Sequence, residues 1–196
     1  MPRYALTPVL DPEPVMHDQR LSKRTGASFL PNIAIDPTCG RYALKALLKW
    51  HYRKQTGVTA EGVTLPRPSN PFKSLAAYDP ENDFRHFGTL LAAPDNLPGT
   101  IGDYVDMLGN FGPLIANGSG VGKAGASVGH YILLVGADAA TGTLYYKDPL
   151  RGDQLFDEPH GDLGPKIRWL CHGQQTIGQT LAALGQSQDY ADMAFT

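Results

Sequence analysis

Cysteine is scarce in this chain: Cys39 and Cys171 are the only two among 196 residues. Two cysteines allow one bridge at most, which excludes a scaffold stapled by several disulfides and points to a reducing compartment. Long apolar runs are also missing, since no stretch approaches the roughly 18 residues of a spanning helix and the opening residues hold no apolar block of signal-peptide length. The expectation is a soluble protein with no signal peptide, cytoplasmic or exported by a specialised secretion system. Neither sign of charge dominates. With 17 basic and 19 acidic residues, a pI of about 6.3 and no basic arm, there is no general electrostatic reason to bind nucleic acid or an anionic membrane. Repeats and low-complexity segments are absent. The histidines at 17, 51, 86, 160 and 172 show no ligand spacing with cysteine, and Cys171-His172 are adjacent, so their side chains diverge; no metal and no cofactor is expected.

What is present is an apolar fraction of 42%, enough at this length for a proper core. Residues 1–25 hold Pro2, Pro8, Pro12 and Pro14 among unpatterned charges and read as an extended or loosely ordered lead-in. Residues 26–196 read as a single domain. From Cys39 to Lys54 the apolar residues fall at helical spacing, with Asp36-Pro37-Thr38 where an N-cap belongs and cations at the far end. Residues 58–96 are proline-studded cover, with a short helix expected around Phe84–Leu91. Thr100 and Asp103 form a capping-box signature for a short helix ending at Gly109. Leu114-Ile115-Ala116 suits a buried strand and Asn117–Gly129 a flexible loop. Gly129–Pro149 reads as a hairpin turning through Asp138–Gly142. Arg151–Gly164 is turn-rich, Ile167–Cys171 suits a strand, Thr176–Leu184 a closing helix, and the tail is polar. Helix and irregular cover followed by antiparallel strands predict an α+β domain with segregated halves.

Three residues carry the chemistry. Cys39 opens a predicted helix, where the dipole and free N–H groups favour thiolate over thiol; the plain alternative is a small residue packed at a helix start. His130 and Asp148 stand at the two ends of the hairpin, side by side if it pairs as written. Alone, each is a strand-end histidine or an Asp-Pro turn. Together, the order thiol, imidazole, carboxylate fits an activated nucleophile, a proton-transferring base and a group that fixes its tautomer. Gly118-Ser119-Gly120-Val121-Gly122-Lys123-Ala124 imitates a phosphate loop but has Asn117 and Ala124 where glycine and a hydroxyl are required. It reads better as a mobile loop gating the site.

The segments Asp36-Pro37-Thr38-Cys39-Gly40-Arg41-Tyr42-Ala43-Leu44, Gly112-Pro113-Leu114-Ile115, Gly129-His130-Tyr131-Ile132-Leu133-Leu134-Val135-Gly136 and Lys147-Asp148-Pro149 resemble the papain-like cysteine peptidases. The bacterial branch with the double-glycine leader peptidases of bacteriocin exporters and the effector proteases of plant pathogens is the most similar. The resemblance covers roughly residues 30–150. It implies a papain-like fold, an N-terminal helix carrying the cysteine packed on a C-terminal antiparallel β-sheet. It implies Cys39 as nucleophile, His130 as general base then acid, and Asp148 as orienting residue, in a cysteine peptidase cleaving a peptide or isopeptide bond. The substrate is then a protein or peptide; a secreted effector or toxin of this kind would have a cognate inhibitor or immunity protein as partner. The family's glutamine shortly before the cysteine is missing, so the oxyanion donor falls to Asn32, seven residues upstream, to Gln19, or to backbone N–H groups, and a missing donor costs about a hundredfold in rate. Two alternatives stand beside the peptidase: a peptidoglycan amidase or endopeptidase of the same fold, and an inactive module that binds a protein partner.

Overall fold

The apolar spacing that starts at Cys39 is realised as α1 (Cys39–Thr56), in a computed structural model that describes residues 6–16, 39–56, 65–68, 88–92, 96–122, 129–173 and 190–193. Ala43, Leu44, Ala46, Leu47 and Leu48 are buried along it. Arg53 and Lys54 occupy its last turn, where cations oppose the negative end of the helix dipole. The residues offered as its N-cap, 36–38, lie outside the described residues.

Among the described residues the strands in chain order are β1 (Leu65–Pro68), β2 (Gly88–Ala92), β3 (Leu114–Ser119), β4 (Gly129–Asp138), β5 (Thr143–Lys147), β6 (Leu155–Pro159), β7 (Ile167–Gly173) and β8 (Tyr190–Met193). Six of them form one sheet in the order β2-β7-β3-β4-β5-β6, and β1 pairs with β8 as a separate ribbon. All pairings are antiparallel. The expected α+β architecture is therefore present, with α1 packed on β4, β3 and β7.

Period-two alternation divides the core between the two faces of the sheet. Ile115, Leu133, Val135, Trp169 and Cys171 cluster with the apolar face of α1. Leu114, Ala116, Ile132, Leu134 and Leu170 cluster with Tyr104 and Leu108 of α2 (Ile101–Phe111). Burial on both faces explains why β4 reads as a continuous apolar run instead of an alternating one. Each fully buried leucine or isoleucine there contributes about 1.5–3 kcal/mol. The capping box of α2 forms as its sequence predicts, with the Asp103 N–H donating to Thr100 Oγ1 and the Thr100 N–H donating to Asp103 Oδ2. The helix continues past Gly109 and ends at Gly112, whose φ of 78° suits a residue without a side chain.

Several expectations change. The helix placed around Phe84–Leu91 is overturned where the structure describes it: residues 88–92 are β2, because pairing with β7 fixes a short apolar run that local pattern leaves ambiguous. Residues 84–87 lie outside the described residues. Asn117–Ser119 extend β3 instead of opening a loop. Arg151–Gly164 holds β6 and the short helix α3 (His160–Leu163). The closing helix at 176–184 lies outside the described residues.

Residues 6–16 turn back on themselves where Leu6 pairs with Leu10, and Val9 pairs with Gly136 of β4. The Leu10 N–H donates to Val135 O and the Ala137 N–H to Pro8 O, at 2.9 and 3.0 Å. Trp50 Nε1 and Lys54 Nζ of α1 donate to Pro12 O and Asp11 O, each at 2.7 Å. Leu10 and Met16 are buried. The segment thus straps α1 to β4, and its Glu13 joins Asp153 in pairing with the buried Lys147.

Candidate active site

His130 enters the site from the start of β4, where it is almost fully buried while Gly129 beside it is exposed. Its main chain is held by the neighbouring strand. Asn117, opposite Tyr131 in the β3–β4 register, donates its side-chain N–H to His130 O at 3.2 Å. Asp148 arrives from the other arm of the hairpin, just past β5. Asp148-Pro149-Leu150-Arg151 closes a β-turn in which the Arg151 N–H donates to Asp148 O at 2.8 Å, with Asp and Pro at the first two positions that favour such a turn.

The Asp148 side chain is fully buried, and its Oδ1 accepts the Leu150 N–H at 2.8 Å. The same oxygen lies 2.8 Å from His130 Nε2. A carboxylate only accepts, so Nε2 carries the hydrogen and Nδ1 is the ring nitrogen left for another partner. That partner is Cys39, to whose side chain His130 is also hydrogen-bonded. Burial by itself pushes the imidazole pKa down. The hydrogen bonds and charges of Asp148 and Cys39 outweigh it, and the pKa rises from 6.5 to about 9.

Cys39 is the first residue of α1 and is buried. The first N–H groups of a helix have no partner within it, and they carry the positive end of its dipole. Cys171 provides the contrast. Neither thiol is in a disulfide, but Cys171 lies on β7 with its Sγ 3.9 Å from His172 O, and burial pushes its pKa up to about 12. One cysteine meets an imidazole at a helix start; the other is packed into the core.

The structure therefore brings Cys39, His130 and Asp148 together. Asn32 and Gln19 lie outside the described residues. Sequence reasoning missed Asn117 and Gly122. Gly122 has a φ of +63°, and a β-carbon there would lie 2.6 Å from Asp148 Oδ2, 2.7 Å from Ile132 Cγ2 and 3.3 Å from His130 Cδ2. The glycine-rich run was legible; its target was not. As for a phosphate loop, Lys123 and Ala124 lie outside the described residues, and the next described element is β4, a strand. Among the described residues no group of three His, Cys, Asp or Glu side chains is placed to hold a metal, and no helix is long and apolar enough to cross a membrane.

No curated protein matches the chain. A family model, that of the papain-like cysteine protease AvrRpt2, matches residues 42–155. The match includes His130 and Asp148 and begins three residues after Cys39. Since it spans more than half of the sequence, and α1 lies on an antiparallel sheet as a papain-like fold requires, the chain belongs to the papain-like cysteine protease AvrRpt2 family and is a hydrolase of peptide bonds.

Proposed function

We propose that Cys39, His130 and Asp148 form the catalytic triad of this peptidase and that it cleaves a peptide or isopeptide bond through a thioester. The observation that carries the reading is the imidazole of His130, hydrogen-bonded to Asp148 on one side and to Cys39 on the other. The steps follow from that arrangement. The thiol proton passes to His130 Nδ1, and the resulting imidazolium is stabilised by Asp148 and by the thiolate. Sγ attacks the scissile carbonyl carbon, and the electron pair of the C=O moves onto oxygen. As the tetrahedral adduct collapses, the C–N bond breaks and Nδ1–H protonates the leaving amine. Water, deprotonated by the now neutral imidazole, then attacks the thioester, releasing the carboxylate product and restoring the thiol. The Cys39 N–H, at the first position of α1, is a backbone donor for the oxyanion; a side-chain amide from Asn32 or Gln19 is the second.

The proposal extends to the setting. Residues 26–196 act as one catalytic domain, in a bacterial effector or toxin that meets its protein substrate after delivery by a specialised secretion machine and is restrained by a cognate inhibitor at home. The family match supports the protease and its protein substrate, and analogy supports the delivery.

Iodoacetamide labelling across pH tests the triad. Cys39 is expected to react at pH 6 while Cys171 does not, and Cys39→Ala is expected to abolish hydrolysis. Cys39 reacting no faster than a model thiol below pH 7, together with an active Cys39→Ala protein, sinks the reading. Incubation with Gly-Gly-containing proteins and with cell-wall fragments separates the substrates, release of muropeptides pointing to the amidase or endopeptidase alternative. A protein whose Cys39 is inert and which still captures a partner is the binding module.

A further inference from the structure

We propose that Gly122 is a positioning residue of this site, its bare α-carbon forming the wall against which the Asp148 carboxylate and the edge of the His130 ring are held. The inference rests on the triad reading above. Asp148 divides its two oxygens: Oδ1 takes the His130 and Leu150 hydrogen bonds, and Oδ2 faces Gly122, where a β-carbon would come within 2.6 Å. That distance is shorter than real β-carbon contacts allow, so any side chain at position 122 must displace something. The other atoms in the way are Ile132 Cγ2 at 2.7 Å and His130 Cδ2 at 3.3 Å. Ile132, Asp148 and His130 are all buried, so a β-carbon at position 122 has no open space to enter and presses first on the nearest atom, the carboxylate oxygen.

The turn that carries Gly122 is held firmly. Val121 beside it is fully buried in the same cluster as Ile132, and Gly120 and Gly122 both take positive φ, 75° and 63°. A wall so close to the dyad leaves no room for water against Oδ2 at that point and opposes rotation of the carboxylate away from Nε2. Low dielectric around the pair strengthens its hydrogen bond.

The chain also supplies a matched control. Gly142 has a φ of +69° and nothing within 4 Å of its β-carbon position, so Gly142→Ala makes the same backbone demand as Gly122→Ala without the collision. The test measures the rate of Cys39 alkylation by iodoacetamide from pH 5 to 9 in the full chain, for unaltered protein, G122A and G142A, and for each glycine variant combined with Asp148→Ala. G122A is expected to slow alkylation at pH 6 about tenfold, the equivalent of one pKa unit of lost imidazolium stabilisation. G142A should match unaltered protein, and G122A should slow the Asp148→Ala protein no further. Equal rates for G122A and G142A, or full slowing by G122A without the carboxylate, overturn the proposal. If G122A does not fold, recovery of the fold in the Asp148→Ala background supports a collision with the carboxylate, whereas loss of the fold in both backgrounds assigns the glycine to folding and overturns it. Failure of the triad reading looks different: the unaltered protein itself would alkylate Cys39 no faster than Cys171.

Discussion

Oδ1 of Asp148 is shared between His130 Nε2 and the Leu150 N–H, each 2.8 Å away. The backbone N–H fixes the carboxylate, and the carboxylate fixes the ring, so the imidazole takes its orientation from an Asp-Pro turn. This grip matters because a proton-transfer group must be held in the right tautomer to act.

Replacing Asp148 should therefore separate orientation from charge. Asp148→Asn keeps an acceptor for Nε2–H and loses the charge, whereas Asp148→Ala loses both. The His130 pKa is raised from 6.5 to about 9, so its stabilising ion pair is complete below pH 6.5 and is lost as pH rises through about 9. The basic limb of kcat/KM should follow that value in unaltered protein and move toward neutrality in Asp148→Asn. Asp148→Ala should lose about a hundredfold or more in kcat, the usual scale for a positioned base. A basic limb that stays near pH 9 in both variants would falsify the assignment of Asp148 as the partner.

Acid should destabilise the fold through a different histidine. His51 of α1 is buried, and neither ring nitrogen has a hydrogen-bond partner among the described residues. Its edge meets Trp50 at 5.0 Å. Burial first, and then the charge of His172, lower its pKa from 6.5 to about 3. His172, stacked on Phe111 at 3.9 Å, is itself shifted down, mainly by burial. Between pH 6.5 and 3 the unfolded chain binds a proton at position 51 that the folded chain does not. Stability is thus present above pH 6.5 and lost as pH falls, by about 1.4 kcal/mol per pH unit for one proton. His51→Phe should flatten the pH dependence of urea unfolding between pH 7 and 4.5 by that amount. An unchanged slope would mean that the proton uptake lies elsewhere.

The helix at Cys39, the hairpin and the capping box were legible because each is written locally: 3.6-residue spacing, a β-turn between apolar runs, Thr100 three residues before Asp103. β2 and β6 were not, because Thr89-Leu90-Leu91 and Phe156-Asp157-Glu158 become strands only by pairing with β7 and β5. The site divides in the same way. Cys39, His130 and Asp148 are signalled by residue type and order, but Gly122 and Asn117 act through contacts that only the folded sheet creates. A glycine with no side chain announces nothing about the carboxylate that will lie against it.

The strap of residues 6–16 makes its own test at Gly136. A β-carbon there would sit 2.5 Å from Pro8 O and 2.9 Å from Val9 Cα, both backbone atoms, so the strap must move. Gly136→Ala should cost about 1–3 kcal/mol, the usual range for overpacking. Hydrogen exchange should show where: the Leu10 and Ala137 N–H groups, which bond across the strap, should lose protection together while the β3–β4 ladder keeps its own. Unchanged protection at Ala137 would show that β4 can absorb the methyl group without releasing the strap.

Trp50 ties this strap to the end of α2. Its Nε1 donates to Pro12 O, and its ring lies under Gly112, where a β-carbon would fall 2.3 Å from Cζ3. Gly112→Ala combines two penalties, a backbone at φ 78° and ψ −152° that essentially only glycine adopts, worth about 1–3 kcal/mol, and an overpacked contact worth about 1–3 kcal/mol. Only the second depends on the indole. Phenylalanine lacks the outer ring atoms that Gly112 approaches, so Trp50→Phe should relieve the collision while forfeiting the hydrogen bond to Pro12. Urea unfolding of the two single variants and the double variant measures this directly: the double should be less destabilised than the sum of the singles by about 0.5–3 kcal/mol, the range for residues in contact. Strict additivity would place the whole cost of Gly112→Ala in the backbone, and would leave the close approach of the indole without energetic consequence.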